Sequence, residues 1–297
     1  MQFFFEVLIG GLLAGVMYSL VALGFVLVYK ASGVFNFAQG AMVFFAALTT
    51  VGFISMGAPF WLAVALALAA MVALAFFTER VVLRPLVNQP QITLFMATIG
   101  LTFFIEGIAQ LVWGAQVHAL DLGIADEPIE WLTDKTGMNI SKFDLVASGI
   151  AAGLVAVLAV FFNKTRTGRA LRAVADDHQA ALAVGISLRK IWVIVWIVAG
   201  FVALVTGLLW GARNGVQFAL TFLALKALPV LILGGFEAIA GAIVGGLIVG
   251  ASEKLAEVYI GPHVGGGIES WFPYVLALAF LLVRPEGLFG ERRIDRV

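Results

Sequence analysis

The groups able to do chemistry in this 297-residue sequence are few and widely spaced. There are three histidines, His118, His178 and His263, and no cysteine, which removes disulfides, iron–sulfur ligation and a thiolate nucleophile. None of the lysines follows a glycine, so the phosphate loop G-x-x-x-x-G-K-[ST] is missing, and no H-E-x-x-H occurs. Two kinds of feature remain. Single charges sit in apolar runs: Glu106, Lys226 within FLALKALPVLI, and Glu253, Lys254 and Glu257. A polar island, NKTRTGRALRAVADDHQAALAVGISLRK over residues 163–190, gathers six basic residues and two aspartates. Charges inside an apolar span are costly, so they mark a pairing or a pathway. Lys226 reads as an interior charge paired with an acid or with backbone carbonyls, cargo contact being the competing reading. Glu106 reads as shallow enough to reach the outer interface. Glu253 and Glu257 read as one face that, with Lys254 at the outer rim, anchors a helix end.

The elements that must carry these groups follow from composition. Hydrophobic residues make up 62% of the chain and charged ones 12%, half the roughly 25% of a soluble domain. Long unalternating apolar runs exclude a barrel and leave an all-α polytopic integral membrane protein. The expectation is about 8–9 transmembrane helices, some discontinuous or re-entrant, in a single transmembrane domain over 1–297. Hydropathy draws them near 3–28, 38–56, 60–82, 92–113, 144–163, 191–212, 218–234, 238–257 and 270–284. The N-terminus has no basic flank or small-residue cleavage site, so the first run reads as a retained helix. A net charge of zero gives nucleic acid no footing.

Loop charge sets orientation. The loop 114–143 holds Asp121, Asp126, Glu127, Glu130 and Asp134 against two lysines, whereas 164–190 holds Lys164, Arg166, Arg169, Arg172, Arg189 and Lys190. The positive-inside rule puts the second in the cytoplasm and the first outside. Arg80, Arg84, Arg284 and the tail RPEGLFGERRIDRV then fall inside too, with the N-terminus outside. Within the island, Gly168 opens a run of helix formers and Gly185 suits a helix stop. Leu171, Val174, Ala175, His178 and Leu182 share one face, and Arg169, Arg172, Asp176 and Gln179 another. Such a helix can lie at the lipid boundary or dock a cytosolic partner, and the residues alone leave both open.

Small-xxx-small spacing in Gly10, Gly11, Gly15 and in Gly241, Gly245, Gly246, Gly250 permits close helix approach, either as plain packing or beside a path. The turn FNFAQG offers Asn36, Gln39 and Gly40. Neutral amides there suit a zwitterionic or uncharged cargo, while Asn36 could instead cap the second helix.

Several stretches resemble the permeases of branched-chain amino-acid ABC transporters, the high-affinity Leu/Ile/Val type, first permease subunit. GRALRAVADDHQAALAVGI is similar to that family's cytoplasmic loop. GLLAGVMYSLVALGFVLVYKASGVFNFAQGAMV resembles its first helix and NFAxG turn. RPLVNQPQITLFMATIGLTFFIEG, LKALPVLILGGFEAIAGAIVGGLIVG and RPEGLFG follow in the family's order. The family turn is often NFAHG followed by an acid, where this chain has Gln39 and Ala41. Its core is often GGLGSIPGA, where this chain has Glu237 and Ala240.

The resemblance implies a transport subunit and no enzyme: a permease of the bacterial inner membrane for branched-chain amino acids or a related small polar solute, working by alternating access. ATP and Mg would act on partner subunits, with no cofactor or metal in this chain. The implied partners are cytoplasmic ATP-binding subunits, a second related permease or a copy of itself, a periplasmic substrate-binding protein and the bilayer. The loop 164–190 would couple to the ATPase through Gly168, Arg169, Leu171, Arg172, Val174, Ala181, Leu182 and Gly185. Asn36, Gln39, Gly40, Lys226 and Glu237 are the path candidates. The acidic loop, with Trp113 and Trp131, would meet the binding protein unless it is an ordinary solvated loop. Close kin carry urea, short amides or carboxylates. Rivals from other classes are an ATP-independent channel or secondary carrier, which a missing intramembrane acid network disfavours, and an intramembrane enzyme, for which the separated histidines cannot converge.

Overall fold

The computed structural model describes residues 2–86, 89–176 and 178–290. The basic end of the tail, 291–297, lies outside them, as do Asp177 and the side chains of Asp176, His178 and Gln179. Thirteen α-helices occur among the described residues: α1 Gln2–Ser32, α2 Gln39–Ser55, α3 Phe60–Phe77, α4 Gln91–Trp113, α5 Glu130–Thr136, α6 Lys142–Lys164, α7 Arg166–Asp176, α8 His178–Ala183, α9 Leu188–Asn214, α10 Leu223–Gly234, α11 Ile239–Tyr259, α12 Gly261–Val264 and α13 Phe272–Val283. α3 runs on through a π-helical stretch, Thr78–Leu83, and a 3-10 turn, Arg84–Leu86.

Among the described residues, six helices are long and apolar enough to cross a membrane: Gln2–Ser32, Phe60–Leu86, Gln91–Trp113, Lys142–Lys164, Leu188–Asn214 and Ile239–Tyr259. The other three stretches drawn as spans are shorter. The stretch 38–56 becomes the 17-residue α2. The stretch 218–234 divides into a 3-10 segment, Phe218–Phe222, and the 12-residue α10, which holds Pro229. The stretch 270–284 yields the 12-residue α13, about 18 Å long against a hydrocarbon core of ~30 Å.

The chain forms two compact units. One comprises Leu27–Leu122 and Ala156–Ala224. Its centre is α2, where every residue from Gln39 to Gly52 except Phe45 is buried. A helix apolar on all sides has to be enclosed, and α3, α4 and α9 enclose it. Close approach needs missing side chains: a Cβ on Gly207 of α9 would sit 2.5 Å from the Val43 carbonyl oxygen, and one on Gly52 would enter the Trp113 ring.

The other unit comprises the described residues within Met1–Val26, Gly123–Val155 and Leu225–Val297. Here the two glycine series meet. A Cβ on Gly11 would lie 2.7 Å from the Gly250 carbonyl oxygen, and one on Gly15 2.5 Å from that of Gly246. The small-xxx-small spacing thus works as an α1–α11 backbone contact. Ser19 adds a hydrogen bond from its hydroxyl to the Ile243 carbonyl at 3.3 Å, and Ser148 of α6 donates to Leu13 O at 2.9 Å. The tail folds back, Leu288 N–H donating to Leu233 O at 2.8 Å and Phe289 N–H to Gly234 O at 3.1 Å.

Candidate functional site

The island is built as two short helices standing directly on the end of α6. Thr165 caps α7: its hydroxyl oxygen accepts the Gly168 N–H at 3.0 Å, satisfying one of the orphan donors of the first turn. Gly168 is buried against the α6 terminus, where a Cβ would strike the carbonyls of Phe161 and Phe162. Arg172 clamps the same joint, donating to Asn163 Oδ1 at 3.0 Å and to the Asn163 carbonyl at 3.3 Å. Leu171, Val174 and Ala181 are buried, and Arg169 is exposed. Gly185 ends α8 in the left-handed region at φ +83°. Gly185 N–H bonds Leu182 O and Ile186 N–H bonds Ala181 O.

Leu182 corrects the sequence expectation. It does not share the buried face of Leu171 but is 53% exposed, beside Val184 at 74%. Ala181 of α8 is buried as Leu171 and Val174 of α7 are, and Leu182 is left outside. The island therefore combines basic residues with an uncovered apolar tip.

Among the path candidates, Asn36, Gln39 and Gly40 come together at the α1–α2 break. Asn36 and Gln39 are fully buried and close on each other, Asn36 Nδ2 donating to Gln39 Oε1 at 3.1 Å. Asn36 Oδ1 accepts the Ala38 N–H at 3.1 Å, so it caps the turn ahead of α2 and not the helix itself. Gln39 Nε2 reaches Ala199 O of α9 at 3.5 Å. A Cβ on Gly40 would run into the Thr221 carbonyl. In the other unit, Glu237 is exposed in the turn between α10 and α11, eleven residues after Lys226 and not joined to it.

Lys226 finds its acid. Its Nζ lies 3.1 Å from Glu253 Oε1, the same oxygen that accepts the Tyr18 hydroxyl at 3.1 Å, and stands 5.7 Å from the Tyr18 ring centre. Glu253 is only 2% exposed, whereas the Lys226 side chain is 35% exposed. Glu253 is thus no part of a rim anchor. That work is divided: Lys254 pairs with Glu269 at 3.0 Å, and Glu257 accepts the N–H groups of Gly267 and Glu269. Glu106 is buried too. Glu79, in the π-helical stretch, is buried with Arg189 Nε 3.8 Å away.

The family of permease components of branched-chain amino acid transport systems matches residues 7–284. The chain belongs to that family. The permease is 28% identical over 310 residues to the high-affinity branched-chain amino acid transport permease LivH of Escherichia coli, covering 99% of this chain and 98% of LivH. It is 28% identical to BraD of Pseudomonas aeruginosa over 99% and 98% of the two chains. Among solved structures, PsaBC from Streptococcus pneumoniae in complex with Fab aligns at a TM-score of 0.50 with 13% identity, over 92% of the permease and 89% of the other chain. That likeness speaks to the fold alone. The permease is the transmembrane, non-catalytic component of an ABC-type importer, a multi-pass inner-membrane helical bundle whose family implies a multi-subunit assembly.

Two participants were not legible beforehand. Glu79 lies near a predicted span end, and no pattern announces a π-helical turn that buries it. The partner of Lys226 had a signal in the glycines of the α10–α11 hairpin. Gly241 faces Gly234 and Gly245 faces Val230, a register that puts Lys226 opposite Val249, one turn from Glu253.

Proposed function

We propose that this permease imports branched-chain amino acids by alternating access, driven by ATP hydrolysed on separate cytoplasmic subunits. The observation that carries the cargo reading is the resemblance to LivH and BraD along 98% of each. In this reading the chain is one transmembrane domain with eight or nine crossings, α2, α10 and α13 serving as short or re-entrant members. The N-terminus and the acidic loop 114–143 are periplasmic. The island and the C-terminus are cytoplasmic.

The ATP-binding subunit seats on α7 and α8. Leu182 and Val184 supply an apolar contact that water would otherwise cover, and Arg169 supplies charge. Gly168 and Arg172 transmit the push, because both fix α7 to α6, while Leu171, Val174 and Ala181 fix the helices to the bundle and Gly185 ends them. The second permease, or a copy of this one, completes the path, where Asn36 and Gln39, closed on each other in this state, offer neutral amides and Gly40 lets the α2 backbone pass Thr221. In the other unit, Lys226 is a structural charge paired with Glu253, and Glu237 lies in the α10–α11 turn on the cytoplasmic side. Trp131, exposed with Lys135 over its ring, belongs to the surface that receives the substrate-binding protein.

The test is ATPase activity and vesicle uptake by the assembled importer, with its binding protein, across leucine, isoleucine, valine, urea and short amides. Stimulation by the three amino acids is expected. Stimulation by urea or amides alone would replace the cargo, and uphill uptake by this chain without its ATPase would overturn the scheme.

A further inference from the structure

We propose that the cleft between α3 and α4 binds one anionic phospholipid, its acyl chain in the groove and its phosphate on Arg80 and Arg84. Two apolar hollows of about 370 and 430 Å³ follow one another along these helices. Phe77 and Phe104 line both, their rings stacked at 5.3 Å and 10°. The first hollow reaches Pro85 and Leu86 at the end of α3, and the second reaches Ala70 and Ile108.

The groove exists because its walls are made of small side chains. Ala97 and Gly100 of α4 and Ala70 and Ala73 of α3 leave the space, and a Cβ on Gly100 would meet nothing within 4 Å. Its rims are large exposed apolar groups, Val81 and Phe104 among them. From Ala70 to Leu86 the groove runs about 24 Å at 1.5 Å per residue, more than the ~15 Å depth of one leaflet. An acyl chain fits that length and chemistry, whereas a free phosphate would leave the groove empty.

The charge selects the lipid. Arg80 and Arg84 are exposed, each one residue before a lining residue, Val81 or Pro85. Glu79, the acid beside them, is buried and turned to Arg189. Among the described residues neither arginine has an acidic partner. Two exposed guanidinium forks beside an apolar groove favour phosphate, and a headgroup without a balancing cation is preferred over a zwitterionic one. The inference rests on the α3–α4 geometry and stands whatever the cargo.

Native mass spectrometry of the assembled importer, titrated with phosphatidylglycerol or phosphatidylcholine, tests it. The wild type should retain one phosphatidylglycerol with a preference of roughly tenfold. Gly100→Leu fills the groove and keeps both arginines; the double variant Arg80→Gln/Arg84→Gln keeps the groove and removes the charge. Both should lose the retained lipid while eluting as intact importer. Equal retention of the two lipids by the wild type, or retention unchanged in Gly100→Leu, would overturn the proposal. So would a disulfide formed between Ala97→Cys in this otherwise cysteine-free chain and a cysteine on the second permease, because protein would then cover the cleft.

Discussion

The Lys226–Glu253 pair makes a prediction whose asymmetry comes from exposure. Glu253 is 2% exposed and shares one oxygen between Lys226 and Tyr18, while the Lys226 side chain keeps 35% of its surface open. Removing the lysine strands a buried carboxylate with only the Tyr18 hydroxyl for company. Breaking a buried pair in this way costs about 3–5 kcal/mol, and Lys226→Met is expected toward that range. Removing the acid is milder, because Lys226 can turn its ammonium toward its open side. Glu253→Gln retains an acceptor for Tyr18 and should cost about 1–2 kcal/mol, the scale of one buried hydrogen bond. The double variant Lys226→Met/Glu253→Gln leaves neither charge stranded, so it should be more stable than Lys226→Met alone. The assay is reversible unfolding in mixed micelles, followed by tryptophan fluorescence, for wild type, both single variants and the double. Additive losses in the double variant, or a greater loss for Glu253→Gln than for Lys226→Met, would refute the reasoning.

Three further outcomes follow from the geometry. Leu182→Asp, at an exposed site, should leave thermal stability within about 0.5 kcal/mol but weaken cargo-stimulated ATPase, read on the assembled importer. Gly15→Leu drives a side chain into the Gly246 backbone and should cost at least the ~1–3 kcal/mol of overpacking, seen as a lower midpoint in thermal aggregation. Asn36→Leu removes the partners of the Gln39 carbonyl oxygen and the Ala38 N–H; each stranded group costs about 1–3 kcal/mol, so Asn36→Leu should lower the thermal unfolding midpoint relative to wild type.

How far the residues spoke in advance depended on the range of the interaction. Apolar runs announced the six long helices, because length and hydropathy are local properties. The glycine spacing announced close helix contact without saying which helices meet. Gly185 ended its helix as its type suggests. Leu182 was misplaced because periodicity gives a helix face and not the surface that covers it. Glu253 was misassigned for a related reason: its neighbours in sequence, Lys254 and Glu257, point elsewhere, and its partners come from α1 and α10. The π-helical turn at Thr78–Leu83 and the Glu79 burial it produces depend on tertiary fit, which single-sequence patterns do not encode.

The contact of Gly11 and Gly15 with Gly250 and Gly246 has a consequence for biosynthesis. The two glycine series are separated by more than two hundred residues, which a ribosome needs on the order of 10–50 seconds to add at about 5–20 residues per second. Throughout that interval α1 sits in the bilayer with a bare backbone groove that lipid fills poorly. The α1–α11 contact can therefore form only after α11 has emerged, late in the making of the chain.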